Sequence, residues 1–305
     1  MSRLRVTKTN PFCLLQDAGR FGSRHLGITQ GGAADWLSMG WANWLLGNRP
    51  DAAVVEIAFG NFDLIAEADC YLAIAGADLQ AHIKGRQILP WSSFLLKRGE
   101  TLSFCSPKKG IRAYLATPGG FSAKPTMGSC ATVLRDEMGG LNGDGLALSS
   151  NDLLESLEKT PRISGRSVKS IPDISLREPL DLVMGAQIGN FAGQSVFDAF
   201  NSDWIIDVRA DRMGIRLTGP SLSYQGEGLV SEAIPLGAVQ VPPDGQPIVL
   251  GNDRQTIGGY PRLGALTPIS MARLAQAGPG DKVRLRPILA ETALVSHRDT
   301  FQQWH

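Results

Sequence analysis

The sequence is short of charge. Charged residues make up 19% of it, against about 25% in typical domains. The 30 Lys and Arg are met by 29 Asp and Glu, for a net charge of +1. Without a basic surplus the chain lacks the field that nucleic-acid binding needs, and it lacks the polybasic cluster of a membrane-surface anchor. Long apolar runs are missing too. The longest, around Tyr71–Ala77, is far too short to span a bilayer. The basic start Met1–Arg5 is followed by Lys8, Gln16 and Asp17, which interrupt any secretory apolar segment. Cysteine is scarce: Cys13, Cys70, Cys105 and Cys130 lie far apart, and His25, His82, His297 and His305 have no ligand spacing to them. Disulfides, structural zinc and any other metal site are therefore not expected, and the expected compartment is the cytoplasm. There is no G-x-x-x-x-G-K-[ST] loop, no G-x-S-x-G elbow and no Met-Lys-Met hairpin to carry biotin on this chain.

What is abundant is glycine, 35 residues, with 18 prolines and 43% hydrophobic residues. So many helix breakers exclude a helical bundle, and the apolar content excludes disorder. A mainly β chain with a few short helices remains. Strands are expected at 54–59, 71–75, 94–96, 101–105 and 112–116, and again at 180–184, 205–208, 248–250 and 282–285. A helix is expected over Trp36–Leu46, capped by Asp35 and stopped by Gly47, with Leu37, Trp41, Trp44 and Leu45 facing the core. Shorter helices are expected at Gln194–Phe200 and Ser270–Ala277. Three strands open alike, after Gly99-Glu100, Asn151-Asp152 and Gly280-Asp281, each with an acid in the turn. The polar stretch Glu155–Arg177 reads as a linker, which divides the chain into 1–165 and 166–305.

Three stretches could carry chemistry. In Gln16-Asp17-Ala18-Gly19-Arg20, followed by a glycine-rich loop to Gly32, Asp17 and Arg20 either pair with each other or leave Arg20 to clamp a carboxylate or phosphate. Asp211-Arg212-Met213-Gly214 is a turn after a strand, with a surface ion pair as its plain reading. The richest runs from Gln240 to Pro247, turning at Pro243-Asp244-Gly245, and on through the strand Ile248–Leu250. That strand delivers Asp253, Arg254, Gln255 and Thr256 together, with Gly258-Gly259-Tyr260-Pro261 behind them, a way of lining a pocket.

With Leu26-Gly27, Gly31-Gly32-Ala33, Asp35, Gly47-Asn48, Glu56, Gly119-Gly120, Gly128-Ser129 and Glu232, these stretches resemble the allophanate hydrolase subunit 2 family. It is also called the biotin-dependent carboxyltransferase family. The likeness runs from about Leu14 to Leu285, and Cys130 departs from it, standing where a more polar residue is expected. The resemblance implies two cyclophilin-like β-barrel subdomains, the N-terminal one β-rich. It implies an ATP-dependent lactam hydrolase subunit of 5-oxoprolinase type, using ATP with magnesium to turn 5-oxo-L-proline into L-glutamate. The implied partners are a subunit-1-type protein (KipI-like, 5-oxoprolinase B) and a LamB/YcsF-type protein (5-oxoprolinase A). Asp253, Arg254 and Glu232 are then the catalytic candidates, and Asp17, Arg20, Arg212, Gln240, Gln255, Thr256 and Tyr260 the substrate-binding ones. The family also offers a carboxyltransferase of a biotin-dependent urea carboxylase, with biotin as cofactor, and a non-catalytic protein that sequesters a KipI-like kinase inhibitor.

Overall fold

The computed structural model describes residues 1–163 and 165–304; Ser164 and His305, one of the four histidines, lie outside the described residues. The chain divides into two compact units, one of Met1–Phe21 with Gly31–Ile174 and one of Gly22–Gln30 with Ser175–His305. The change near residue 174 falls inside the polar stretch that reads as a linker. A piece of the glycine-rich loop also belongs to the second unit.

The first unit is built from β1 (Arg3–Lys8), β2 (Cys13–Gln16), β3 (Val54–Ala58), β4 (Phe62–Ala66), β5 (Cys70–Asp78), β6 (His82–Ile83), β7 (Arg86–Gln87), β8 (Ser92–Leu96), β9 (Thr101–Phe104), β10 (Lys109–Ala116) and β11 (Leu153–Glu155). They form two antiparallel sheets, ordered β11-β1-β4-β9-β6-β7 and β2-β3-β10-β5-β8. Leu4, Leu64 and Leu102 of one sheet and Leu15, Val55 and Leu115 of the other share one apolar core. In β4 buried residues alternate with half-buried ones, the period-2 pattern of a one-sided strand. In β3 every residue is buried, because α1 (Trp36–Trp44) packs against this sheet, at β5 and β10. The cap is as expected: Asp35 accepts the Ser38 backbone N–H at 2.9 Å. The burial of Glu56 in β3 is met by polar partners. Ala34 N–H and the Tyr114 hydroxyl both donate to its Oε2 at 2.8 Å. Burial, then the charges of Glu56 and Asp35, hold the Tyr114 pKa far above its ordinary value.

The three look-alike turns share one geometry. Glu100, Asp152 and Asp281 each accept the backbone N–H of the residue three before, Lys97, Ser149 and Gly278, at 2.8–3.0 Å. Turn chemistry accounts for the likeness.

The second unit holds β12 (Leu180–Met184), β13 (Trp204–Ile206), β14 (Gly214–Thr218), β15 (Glu232–Ala233), β16 (Ala238–Gln240), β17 (Ile248–Leu250), β18 (Ile257–Gly258), β19 (Arg262–Leu266), β20 (Lys282–Val283) and β21 (Leu285–Ile288). Its main sheet runs β20-β13-β14-β17-β16-β19-β12-β21, with β15-β18 as a separate ladder. The two ends of that sheet are successive halves of one stretch. Val283 pairs with Trp204 while Leu285 pairs with Leu180, so 282–288 bends from one edge to the other and closes the sheet into a barrel. Trp204, fully buried, anchors the interior, its indole N–H donating to the Ala199 carbonyl at 3.1 Å. The helices are α2 (Gly193–Asn201), α3 (Pro268–Leu274) and α4 (Ala290–Gln302). α3 begins and ends earlier than its expected 270–277, because Pro268 suits a first turn and Thr267 caps it, accepting from Ser270 N–H. α4 was not expected, since it has no side-chain cap and only Thr300 of its residues is buried.

Candidate functional site

The stretch from Gln240 to Pro261 folds as its punctuation demands. Gly245 N–H bonds back to the Pro242 carbonyl at 2.9 Å, a turn across Pro243-Asp244. The chain returns along β17 and emerges at Asp253 and Arg254, which are both buried, 5% and 3% exposed. Asp253 takes a two-pronged bond from Arg212, Nε to Oδ2 at 2.9 Å and Nη2 to Oδ1 at 3.0 Å. Arg212 is aimed there because Asp211 folds its own turn, accepting from Met213 and Gly214 N–H. The partner of Arg212 is thus distant in sequence and buried, not a neighbouring surface acid.

Arg254 bonds to neutral oxygens only. Its Nε reaches the Ile234 carbonyl at 3.1 Å, Nη1 the Gly251 carbonyl at 3.1 Å and Nη2 the Gln30 Oε1 at 3.4 Å. A second guanidinium lies beside it. Arg24 Nη2 donates to the same Ile234 carbonyl at 2.8 Å and to the carbonyls of Gln255 and Thr256 at 3.2 Å. Burial, and then the Arg24 charge, push the Arg254 pKa down to about 9 against the pull of Asp253. Burial lowers that of Arg24 as well. The β15–β18 ladder sets Glu232 opposite Gly258. Glu232 is exposed and held by Arg262 Nη2, with Gln187 Nε2 at 3.4 Å. Gln240 is 2% exposed, its amide nitrogen without a hydrogen-bond partner. Gln255 and Tyr260 are exposed and Thr256 is half-buried. Arg24, Gln30 and the Ile234 carbonyl were not among the residues read as site candidates. Arg24 lies in the glycine-rich loop that the sequence marks, but nothing local ties it to Arg254.

Asp17 and Arg20 stand in the first unit, each bonded within it. Asp17 Oδ1 accepts from Gly19 N–H at 2.8 Å and Ser129 Oγ at 2.6 Å, and Oδ2 from Cys130 N–H at 2.8 Å and Cys130 Sγ at 3.3 Å. Cys130 therefore serves as a donor where a polar residue is expected, and burial with the Asp17 charge raises its thiol pKa strongly. Arg20, 1% exposed, donates to the carbonyls of Thr126 at 3.1 Å and Ala131 at 2.6 Å. Beside them a cavity of about 460 Å³ is lined by Asp17, Asn48, Arg49, Asp51, Glu158 and Arg162, among others. Four of its charges are matched in pairs, Arg49 to Asp51 at 2.7 Å and Arg162 to Glu158 at 3.0 Å.

A mainly β architecture with a nearly closed barrel sheet, and a donor-rich site where its strands end, defines the class of the protein. The chain belongs to the family described as carboxyltransferase domain, subdomain A and B, whose model matches residues 26–287. It is 32% identical over 305 residues to the C component of 5-oxoprolinase from Escherichia coli (strain K12), covering 97% of this chain and 94% of that one. The crystal structure of TTHA0988 matches with a TM-score of 0.83 and 35% identity over 94% of this chain, and this chain spans only 56% of that one. The urea carboxylase of Kluyveromyces lactis shares the fold, at a TM-score of 0.91 and 22% identity, over 99% of this chain and 29% of that one. The family expected from the sequence motifs is thus the family found.

Proposed function

We propose that this chain is one subunit of an ATP-dependent lactam hydrolase of 5-oxoprolinase type, which opens 5-oxo-L-proline to L-glutamate with a subunit-1-type and a LamB/YcsF-type partner. The observation that carries the reading is the match to the Escherichia coli 5-oxoprolinase component over nearly the whole of both chains. A lactam is a weak electrophile, and ATP supplies the driving force for opening it. The donor set of the second unit, Arg24, Arg254 and Gln240, suits an anionic or carbonyl oxygen of the substrate. It does not suit magnesium, since Asp253 has both its oxygens held by Arg212. We therefore assign binding of MgATP to the assembled complex and not to this cluster. In this scheme Arg254 binds substrate, Asp253 fixes the fork of Arg212, and Glu232, held by Arg262, is the acid–base candidate.

The test is reconstitution with both partners, measuring glutamate released from 5-oxoproline with ATP. Turnover lost on Arg254→Lys supports the reading; no turnover from the complete set overturns it. The family description, with a urea carboxylase among the similar proteins, favours a second reading, transfer of a carboxyl group from biotin to urea. Carboxybiotin and urea offered to the chain separate the two, because only a transferase consumes both.

A further inference from the structure

We propose that Arg24, Arg254 and Gln240 form a binding site for a carboxylate, and that its ligand is a small acid with an amide carbonyl next to the carboxylate. Arg24 and Arg254 converge on a single neutral acceptor, the Ile234 carbonyl, at 2.8 and 3.1 Å. Among the described residues neither guanidinium has a carboxylate within ion-pair distance. Asp253 is near enough to favour the charge of Arg254, yet Arg212 grips it on both oxygens. Two guanidiniums side by side, one of them only 3% exposed, repel each other, and only neutral oxygens and an Asp253 already gripped by Arg212 offset the hydration they lose. An anion between them supplies the missing charge.

A second observation points to the same ligand. Gln240 is only 2% exposed and its amide nitrogen has no partner, although a buried donor left unbonded is destabilising. Arg24 Nη1 is likewise a buried nitrogen without a partner. The Gln240 amide faces Gly258. A Cβ on Gly258 would stand 3.1 Å from Gln240 Nε2, 3.1 Å from Gln255 Nε2 and 2.6 Å from Ile234 Cδ1. Two amide donors and two guanidiniums thus gather around one short segment with donors in excess of acceptors. A ligand made of acceptors completes it: a carboxylate for the guanidiniums and a carbonyl for the amides. Arg24 is the part-exposed member, on the turn Arg24–Leu26, so the ligand enters past its side chain.

The carboxylate site stands on these residues alone; the choice of 5-oxoproline as probe rests on the function proposed above. Titrate the full chain, by calorimetry and thermal shift, with 5-oxo-L-proline, its uncharged primary amide, succinamate and inorganic phosphate. The expected result is saturable binding of a carboxylate, no binding of the uncharged amide, and at least tenfold weaker affinity in Arg24→Gln. Gln240→Met is expected to weaken binding while leaving the melting temperature equal to or above that of the parent, because it removes an unbonded amide. A purely structural role for Gln240 gives the opposite, a lower melting temperature. Binding that is unchanged in Arg24→Gln, or binding of phosphate with no carboxylate, overturns the proposal. If succinamate binds through Arg24 and 5-oxoproline does not, the site stands and the 5-oxoprolinase reading fails.

Discussion

Asp17 with Arg20 in the first unit and Asp253 with Arg254 in the second are the same residue types in similar glycine-rich surroundings, and they are used in opposite ways. In the first unit the carboxylate gathers donors from its own loop and from Ser129 and Cys130, while Arg20 ties down the Thr126 and Ala131 carbonyls. Both ends are absorbed in shaping loops. In the second unit the acid turns to Arg212, and Arg254 is left among neutral oxygens with a like charge beside it. An acid and an arginine close in sequence therefore say little about function. What separates a loop clamp from a ligand site is whether the cation's surroundings already balance it.

That contrast can be broken most severely in the first unit. Gly139→Ala places a Cβ 2.0 Å from the Ala131 carbonyl oxygen and 2.4 Å from Arg20 Nη2, at a φ of +72°. We expect a loss of about 4 kcal/mol or more, read by urea unfolding; a loss under about 1 kcal/mol would mean that Arg20 does not hold this loop. Next, Arg20→Met is expected to destabilise by about 3 kcal/mol, because it strips the buried Ala131 carbonyl and the part-buried Thr126 carbonyl of a charged donor. Arg254→Met is expected to stay within about 1 kcal/mol of the parent or to exceed it, because a buried charge beside a like charge is removed while the Ile234 and Gly251 carbonyls keep other donors. Equal losses in the two variants would erase the distinction.

A pH titration sharpens it further. Arg24 and burial disfavour the charged form of Arg254, Asp253 favours it, and the balance lies at about 9. A bound carboxylate selects the charged form, so its affinity is expected to fall as pH rises through about 9 and to lose that dependence in Arg254→Met. Affinity that is flat from pH 8 to 10 in the parent counts against the role of Arg254. The smallest effect tests where the two units are alike. Asp152→Ala and Asp281→Ala remove the same turn bond in each unit, and each is expected to cost about 1 kcal/mol.

The sequence discloses local order well. The Asp35 cap, the Pro243-Asp244-Gly245 turn and the strands Leu180–Met184 and Ile248–Leu250 lie where their residue types place them, because each is decided within a few residues. The candidate site is legible only in its local half. Asp253 to Thr256 travel together at a strand end, so the chain itself announces them. Arg24 reaches the Ile234 carbonyl, and with it Arg254, only through tertiary folding across 210 positions. The pairing of Arg212 with Asp253 spans 41, and no periodicity records either. Helix α4 escaped for the converse reason: with little of it buried, its pattern of apolar residues marks no face.

The second unit is discontinuous along the chain, and this decides how the protein can be made and cut. Gly22–Gln30 leaves the ribosome long before Lys282–Ile288, the stretch that closes the barrel to which it belongs. The first unit's long run Gly31–Ile174 is synthesised while the Arg24 turn still lacks its neighbours, so the second unit can be completed only through contacts far apart in sequence, the kind that form slowly. A fragment that starts at Ser175 holds every strand of the barrel but leaves Arg24 behind. Such a fragment is the wrong object for studying ligand binding, and one whose independent folding does not imply a working site.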